Sequence, residues 1–199
     1  MPFLNEQVEI INKAIRSRGL SDARFQSGDF NALADQIVEN GKSNGDKRYP
    51  VVYRKSKPFN IGLDDKFPII IYHRQRNSRF LEPDNGFGSG KNVYKEQTDM
   101  HLVVFGSRKK LELRPEELSA LITLSMPTQV SKTELADMNI DTMLVSLSNT
   151  NMDSLSVFRE EYSGIDYKVS PDHVLFKIIY TITTQYRKDC LNLCDCNPQ

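Results

Sequence analysis

The run HVLFKIIYTITTQYR, residues 173–187, constrains this chain more than any other stretch. Val174, Phe176, Ile178, Tyr180, Ile182 and Tyr186 fall on one face of an extended strand, with Thr184 as the single interruption. Lys177, Thr181, Thr183, Gln185 and Arg187 fall on the other face, with Leu175 and Ile179 as its apolar members. A period of two sustained this long specifies a β-strand. At ~3.3 Å per residue it extends ~45 Å, far beyond the ~5–6 residues of an average strand. A sheet of ordinary width leaves one end of such a strand bare. The sequence therefore predicts that residues 173–187 reach past their own sheet, and that a neighbouring copy covers Ile182 and Tyr186.

The rest of the chain must supply partners for this strand. YPVVYRK (49–55), FPIIIYHRQ (67–75), a strand over 93–106 ending in MHLVVFG, and DTMLVSLSN (141–149) read as strands. Residues 4–18 read as a helix, because Leu4, Val8, Ile11 and Ile15 share one face. A second helix is expected from Asp29 to Asn40, with Phe30, Leu33, Ala34 and Ile37 as its stripe and Gly41 as its stop. RPEELSALITLSMP (114–127) and MDSLSVFREEYSG (152–164) complete the helices, and SKTE (131–134) matches a capping pattern that opens a short one. Helices and strands are interspersed, and the strands alternate. The expected class is α+β: a mainly antiparallel sheet with helices packed on one face, a long hairpin arm and a long C-terminal strand. Residues 1–187 make one domain, and residues 188–199 are a cysteine-bearing tail.

The stretch DNGFGSGKNVY (84–94) raises the question of phosphate binding. A P-loop ending in Gly90-Lys91 needs glycine at Asn85 and a hydroxyl at Asn92, and it must lead into a helix rather than the strand that follows. A dinucleotide fingerprint starting at Gly86 needs its third glycine where Lys91 stands. The glycines instead predict a mobile hairpin arm over residues 76–92.

Other chemistries lack their parts. Cys190, Cys194 and Cys196 are spaced C-x3-C-x-C with no nearby histidine, so they read as reduced thiols on a tail, not as a metal site. Asp99 and His101 share a strand face, but no nucleophile motif accompanies them. Glu116-Glu117 and Glu160-Glu161 are neighbours on helices, where adjacent side chains do not face each other, so neither pair is expected to form a joint site. Arg74, Arg76 and Arg79 with Phe80 offer a phosphate-backbone contact, though no nucleic-acid motif goes with them and a solvated strand exit is the preferred reading.

Net charge is zero, from 26 basic and 26 acidic residues, so there is no global signal for a polyanionic partner. The balance hides a polarity. Residues 42–79 carry ten Lys/Arg and three Asp/Glu, and residues 133–166 carry seven Asp/Glu and one Arg. Such blocks most often make solvated faces, and they can also let one subunit's basic surface meet another's acidic one. The longest apolar runs, IIIY and LVVF, fall far short of the ~20 residues of a membrane span. The opening MPFLNEQVEIINKA has no secretory pattern, so synthesis in a cytoplasm is expected.

The order of elements, and in particular DMHLVVFGSRKKLEL followed later by FREEYSGIDYKVSPDHVLFKIIYTITTQYRKDC, resembles the tail-terminator and tail-completion proteins of phages. The resemblance spans residues 1–187 in element order. It implies a non-enzymatic ring subunit of a virion, placed at the head–tail junction or tail, assembled in the host cytoplasm, without catalytic residues, cofactor or metal. Its partners are then other copies of itself and neighbouring virion proteins, with a DNA backbone close by and no membrane. Arg76, Arg79, Phe80, Phe87, Ile182 and Tyr186 are the expected interaction residues. Two rival classes stand beside it: a small enzyme built on Asp99, His101 and Arg74, and a monomeric adaptor or nucleic-acid-binding domain.

Overall fold

A computed structural model describes residues 3–39, 46–81, 94–138, 140–165 and 170–186. Helix α1 (Leu4–Ala14) buries Leu4, Val8 and Ile11, and a π-helical turn, Ile15–Gly19, carries the stripe on through Ile15. Gly19 lets helix α3 (Pro115–Ser125) approach closely, since an added Cβ there would lie 2.1 Å from Ser125 Oγ. After a 3-10 turn at Ala23–Phe25, the chain forms β1 (Asp29–Leu33), β2 (Asp35–Glu39), β3 (Lys47–Arg54), β4 (Lys57–Asn60), β5 (Ile69–Leu81) and β6 (Tyr94–Ser107). A single turn, α2 (Arg108–Leu111), precedes α3, and then come β7 (Gln129–Val130), β8 (Ile140–Asn151), α4 (Ser154–Glu161) and β9 (His173–Tyr186).

The class is α+β, with two sheets. The larger has the order β1-β5-β6-β9-β8-β7, and the smaller has the order β2-β3-β4. Every neighbouring pair is antiparallel except β1 with β5. Helices α1 and α3 cover one face of the large sheet, where Leu4, Val8, Leu118 and Ile122 meet Met100, Leu102, Val104, Phe176, Ile178 and Ile182. The opposite face is covered as well. There Val157, Phe158 and, just past the helix end, Tyr162 join Val51 and Val52 of the small sheet against Tyr72, Val103, Phe105 and Leu175. The expected helices on one face describe α1 and α3, while α4 lies on the other.

Strand β9 is central, which corrects the expectation drawn from its length. It pairs with β6 over its whole span, from Ser107 opposite His173 to Tyr94 opposite Tyr186. On its other side β8 pairs with it from Asn151 opposite Lys177 to Ile140 opposite Tyr186. With β6 along its whole length and β8 from Lys177 onward, the Ile182–Tyr186 end is flanked on both sides and is not left bare. Ile182 is wholly buried and unavailable to a neighbour.

The helix expected over residues 29–40 is two strands instead. Phe30 and Leu33 pack on one core, Ala34 and Ile37 on the other. The chain crosses from the large sheet to the small one at Ala34. The four apolar residues fit helical spacing because they divide between two cores, and tertiary packing overrides the pattern. At SKTE, Ser131 Oγ donates to Glu134 Oε2 at 2.8 Å, but the chain forms only turns and a 3-10 turn, Ala136–Met138. Of the arm expected over 76–92, residues 76–81 are the end of β5, paired as far as Leu81 opposite Lys95. The rest of the arm up to residue 92, Phe87 among it, lies outside the described residues, as do the three cysteines.

Candidate functional site

Two features stand out on the large sheet. One is a charge lattice between the sheet and α4. Asp153 caps α4, its Oδ1 accepting from the Leu155 and Ser156 amides at 3.1 and 3.2 Å, and the last turn of the helix settles on the sheet. Arg74 on β5 forms a buried ion pair with Glu161, which is wholly buried. Arg74 Nη2 also donates to Gln36 Oε1 at 3.3 Å. Lys177 on β9 pairs with Glu160, and Arg76 Nη2 lies 3.2 Å from Glu160 Oε1. Burial pushes the Glu160 carboxyl up, but the hydrogen bond from Lys177 and the charges of Lys177 and Arg76 outweigh it and hold it below the usual carboxylate range. His101 on β6 sits between the two carboxylates, its Nδ1 3.7 Å from Glu160 and 3.9 Å from Glu161.

The basic and acidic blocks of the sequence thus meet, but inside one chain. A β-bulge between Gln75 and Asn77 adds the residue that brings Arg76 to Glu160. His101, Glu160 and Glu161 hold ligand-type atoms within 4.8 Å of one another. Their surroundings carry three cations against two carboxylates, so a divalent cation would add to a positive excess. The arrangement suits a fastening of α4 to the sheet. Glu160 and Glu161 act jointly although adjacent, because the helix end, not one helical face, meets the sheet. The sequence signal for this was Lys177, a lone cation between Leu175 and Ile179 on a strand face. Asp99 is not drawn in. Its Oδ1 accepts from Thr181 Oγ1 at 3.2 Å.

The second feature is the open edge of the large sheet on each flank. Strand β1 pairs with β5 only as far as His73. Beyond it, no strand among the described residues lies on the outer side of β5. A cleft of about 540 Å³ follows this edge, lined by Asp35, Gln36, Arg74, Gln75, Arg76 and Asn77 among others. On the other flank, β7 pairs with Met143 and Leu144, and the Val145 amide donates to Thr128 O at 2.9 Å. From Ser146 to Asn151 the outer side of β8 has no strand partner among the described residues. Phe80 and Leu147, 71% and 42% exposed, lie on these edges.

The remaining expected interaction residues have partners of their own. Arg79 Nη2 donates to Gln97 Oε1 at 3.1 Å. Tyr186 donates to Glu96 Oε2 at 2.7 Å, and burial, then this bond, raises its hydroxyl far above the usual tyrosine range. Under the opposite face, His73 Nδ1 lies 2.8 Å from the Tyr180 hydroxyl, both wholly buried.

Burial lowers the His73 imidazole to about 3, so it stays neutral in the folded chain at physiological pH. The unfolded chain takes up that proton near the ordinary value of about 6.5. Each pH unit below that value therefore removes up to about 1.4 kcal/mol, until the folded value is reached. The urea midpoint is expected to fall from pH 6.5 to 4, and His73→Gln is expected to flatten the fall. A slope unaltered by the substitution would assign the effect to other groups. Comparison with known protein families and with curated proteins found no match to this chain.

Proposed function

We propose that this chain is a non-enzymatic structural subunit of a phage virion, joining copies of itself into a ring at the head–tail junction or the tail. The observation that carries this reading is the pair of open edges. Strands β5 and β8 run in opposite directions, since three antiparallel pairings separate them. The β8 edge of one copy therefore lies antiparallel beside the β5 edge of the next, continuing the alternation of the sheet. Unprotected edges invite pairing, and a head-to-tail contact of this kind is heterologous and closes when the rotation permits.

The test is the native mass of the full chain in solution. Sedimentation should show a discrete oligomer at micromolar concentration. Phe80→Glu and Leu147→Glu, both at exposed edge positions, are expected to shift it to monomer while changing stability by no more than ~0.5 kcal/mol. A wild-type chain that stays monomeric throughout sinks the ring reading.

A further inference from the structure

The small sheet carries a feature that neither the ring nor the charge lattice uses. All eight residues 53–60, from the end of β3 through β4, are exposed. They form the projecting tip of a two-stranded ribbon in which Arg54 stands directly opposite Lys57. The two residues between them, Lys55 and Ser56, have φ of 50° and 63°. Positive φ at both central positions is the pattern of a type I′ turn, which favours Asn-Gly. Side chains with a Cβ are disfavoured there. The turn therefore holds a lysine where the backbone disfavours one, between two cations whose like charges repel across the strands.

No acid relieves this crowding at Lys55 or Lys57, neither of which has an ion pair or side-chain hydrogen bond among the described residues. Arg54 lies 3.7 Å from Asp29 and donates to Asn31 Oδ1 at 2.9 Å, yet its side chain stays 60% exposed. Between Lys47 and Leu63 there are five basic residues and no acidic one. Tyr53 and Phe59, 55% and 46% exposed, flank the cations, and the Arg54 guanidinium lies over the Phe59 ring at 5.9 Å. Repulsion gathered at a strained, exposed tip points to an anionic partner that offsets it.

We propose that the β3–β4 tip docks on the phosphate backbone of double-stranded DNA. A two-stranded ribbon fits the major groove, which is about 12 Å wide. Arg54, Lys55 and Lys57 then meet phosphates, while Tyr53 and Phe59 rest on the sugar edges. The contact is independent of base sequence, since the three cations are engaged by phosphates, which carry no sequence information. The nucleic-acid surface then lies on the small sheet, not at Arg74 and Arg76, which are fastened to Glu161 and Glu160 of α4.

The experiment is fluorescence anisotropy of a short labelled duplex titrated with the full chain. Three neutralised phosphates give a roughly 40-fold loss of affinity over a fourfold rise in salt. The Arg54→Gln/Lys55→Gln/Lys57→Gln variant should bind at least tenfold more weakly at low salt and lose most of the salt dependence, while Arg79→Gln should bind like wild type. The turn-relieving Lys55→Asn/Ser56→Gly pair should melt higher than wild type and bind the duplex more weakly. Absence of duplex binding at low salt, a triple variant that binds normally, a relieved turn that melts no higher, or polyglutamate competing as well as duplex each overturns the proposal. The last of these assigns the tip to an acidic protein instead. Sedimentation of the same variants separates this from the ring reading, since a ring that forms and ignores DNA overturns the DNA contact alone.

Discussion

Ile182→Asp is expected to unfold the protein, not to dissociate an assembly. Ile182 is wholly buried, between Val145 of β8 and Thr98 of β6 in register. It belongs to the core under α1 and α3. A carboxylate placed there has no cation within the apolar cluster and must be desolvated, a mechanism among those that exceed ~4–5 kcal/mol. Against a total of about 5–15 kcal/mol for a domain, that removes most or all of the stability. Far-UV circular dichroism should show no cooperative transition. Ile182→Val, which deletes one methylene, should cost about 1 kcal/mol and keep both fold and native mass. A folded, monomeric Ile182→Asp protein would return this residue to an interface and contradict the central position of β9.

The second large effect is expected at Glu161. With Glu161→Ala, Arg74 remains 6% exposed beside Tyr72 and α4 with its charge uncompensated. Removing one partner of a buried pair costs about 3–5 kcal/mol. Arg74→Met combined with Glu161→Leu should cost less than either single change, because the desolvation of both charges disappears with them. Urea denaturation of the four proteins measures the coupling. A double variant as unstable as the sum of its parts would mean that the two side chains act independently.

What the sequence made legible were elements with a strong period and a clean boundary. Leu4, Val8, Ile11 and Ile15 mark α1, and Pro115 and Asp153 mark the starts of α3 and α4. The β9 alternation marks its strand. What the period does not carry is position in the sheet. Leu175 and Ile179, which look like exceptions on the polar face, belong to a strand with Leu175 buried on the second core. Residues 29–40 misled for the related reason that Phe30 and Ile37 serve different cores. Beyond the one signal at Lys177, the charge lattice was not legible, because its members come from residues 74, 101, 160, 161 and 177, and only the docking of the α4 terminus brings them together. The bulge at Arg76, one residue in length, has no mark in the local sequence.

The central place of β9 also sets the order in which the fold can be completed. Strands β5, β6, β7 and β8 leave the ribosome first, yet β6 and β8 do not pair with each other; each waits for a strand that comes last among them. Until residues 173–186 emerge, the sheet exists as two separate halves, each with a long strand, β6 or β8, open to pairing with any passing chain. Contacts between strands so distant in sequence make closure slow. Nascent chains are then most prone to aggregation immediately before the final strand is released. A stop codon between α4 and β9 should therefore yield insoluble fragments rather than a smaller stable domain, and chaperone dependence during synthesis should greatly exceed that of refolding from the finished chain.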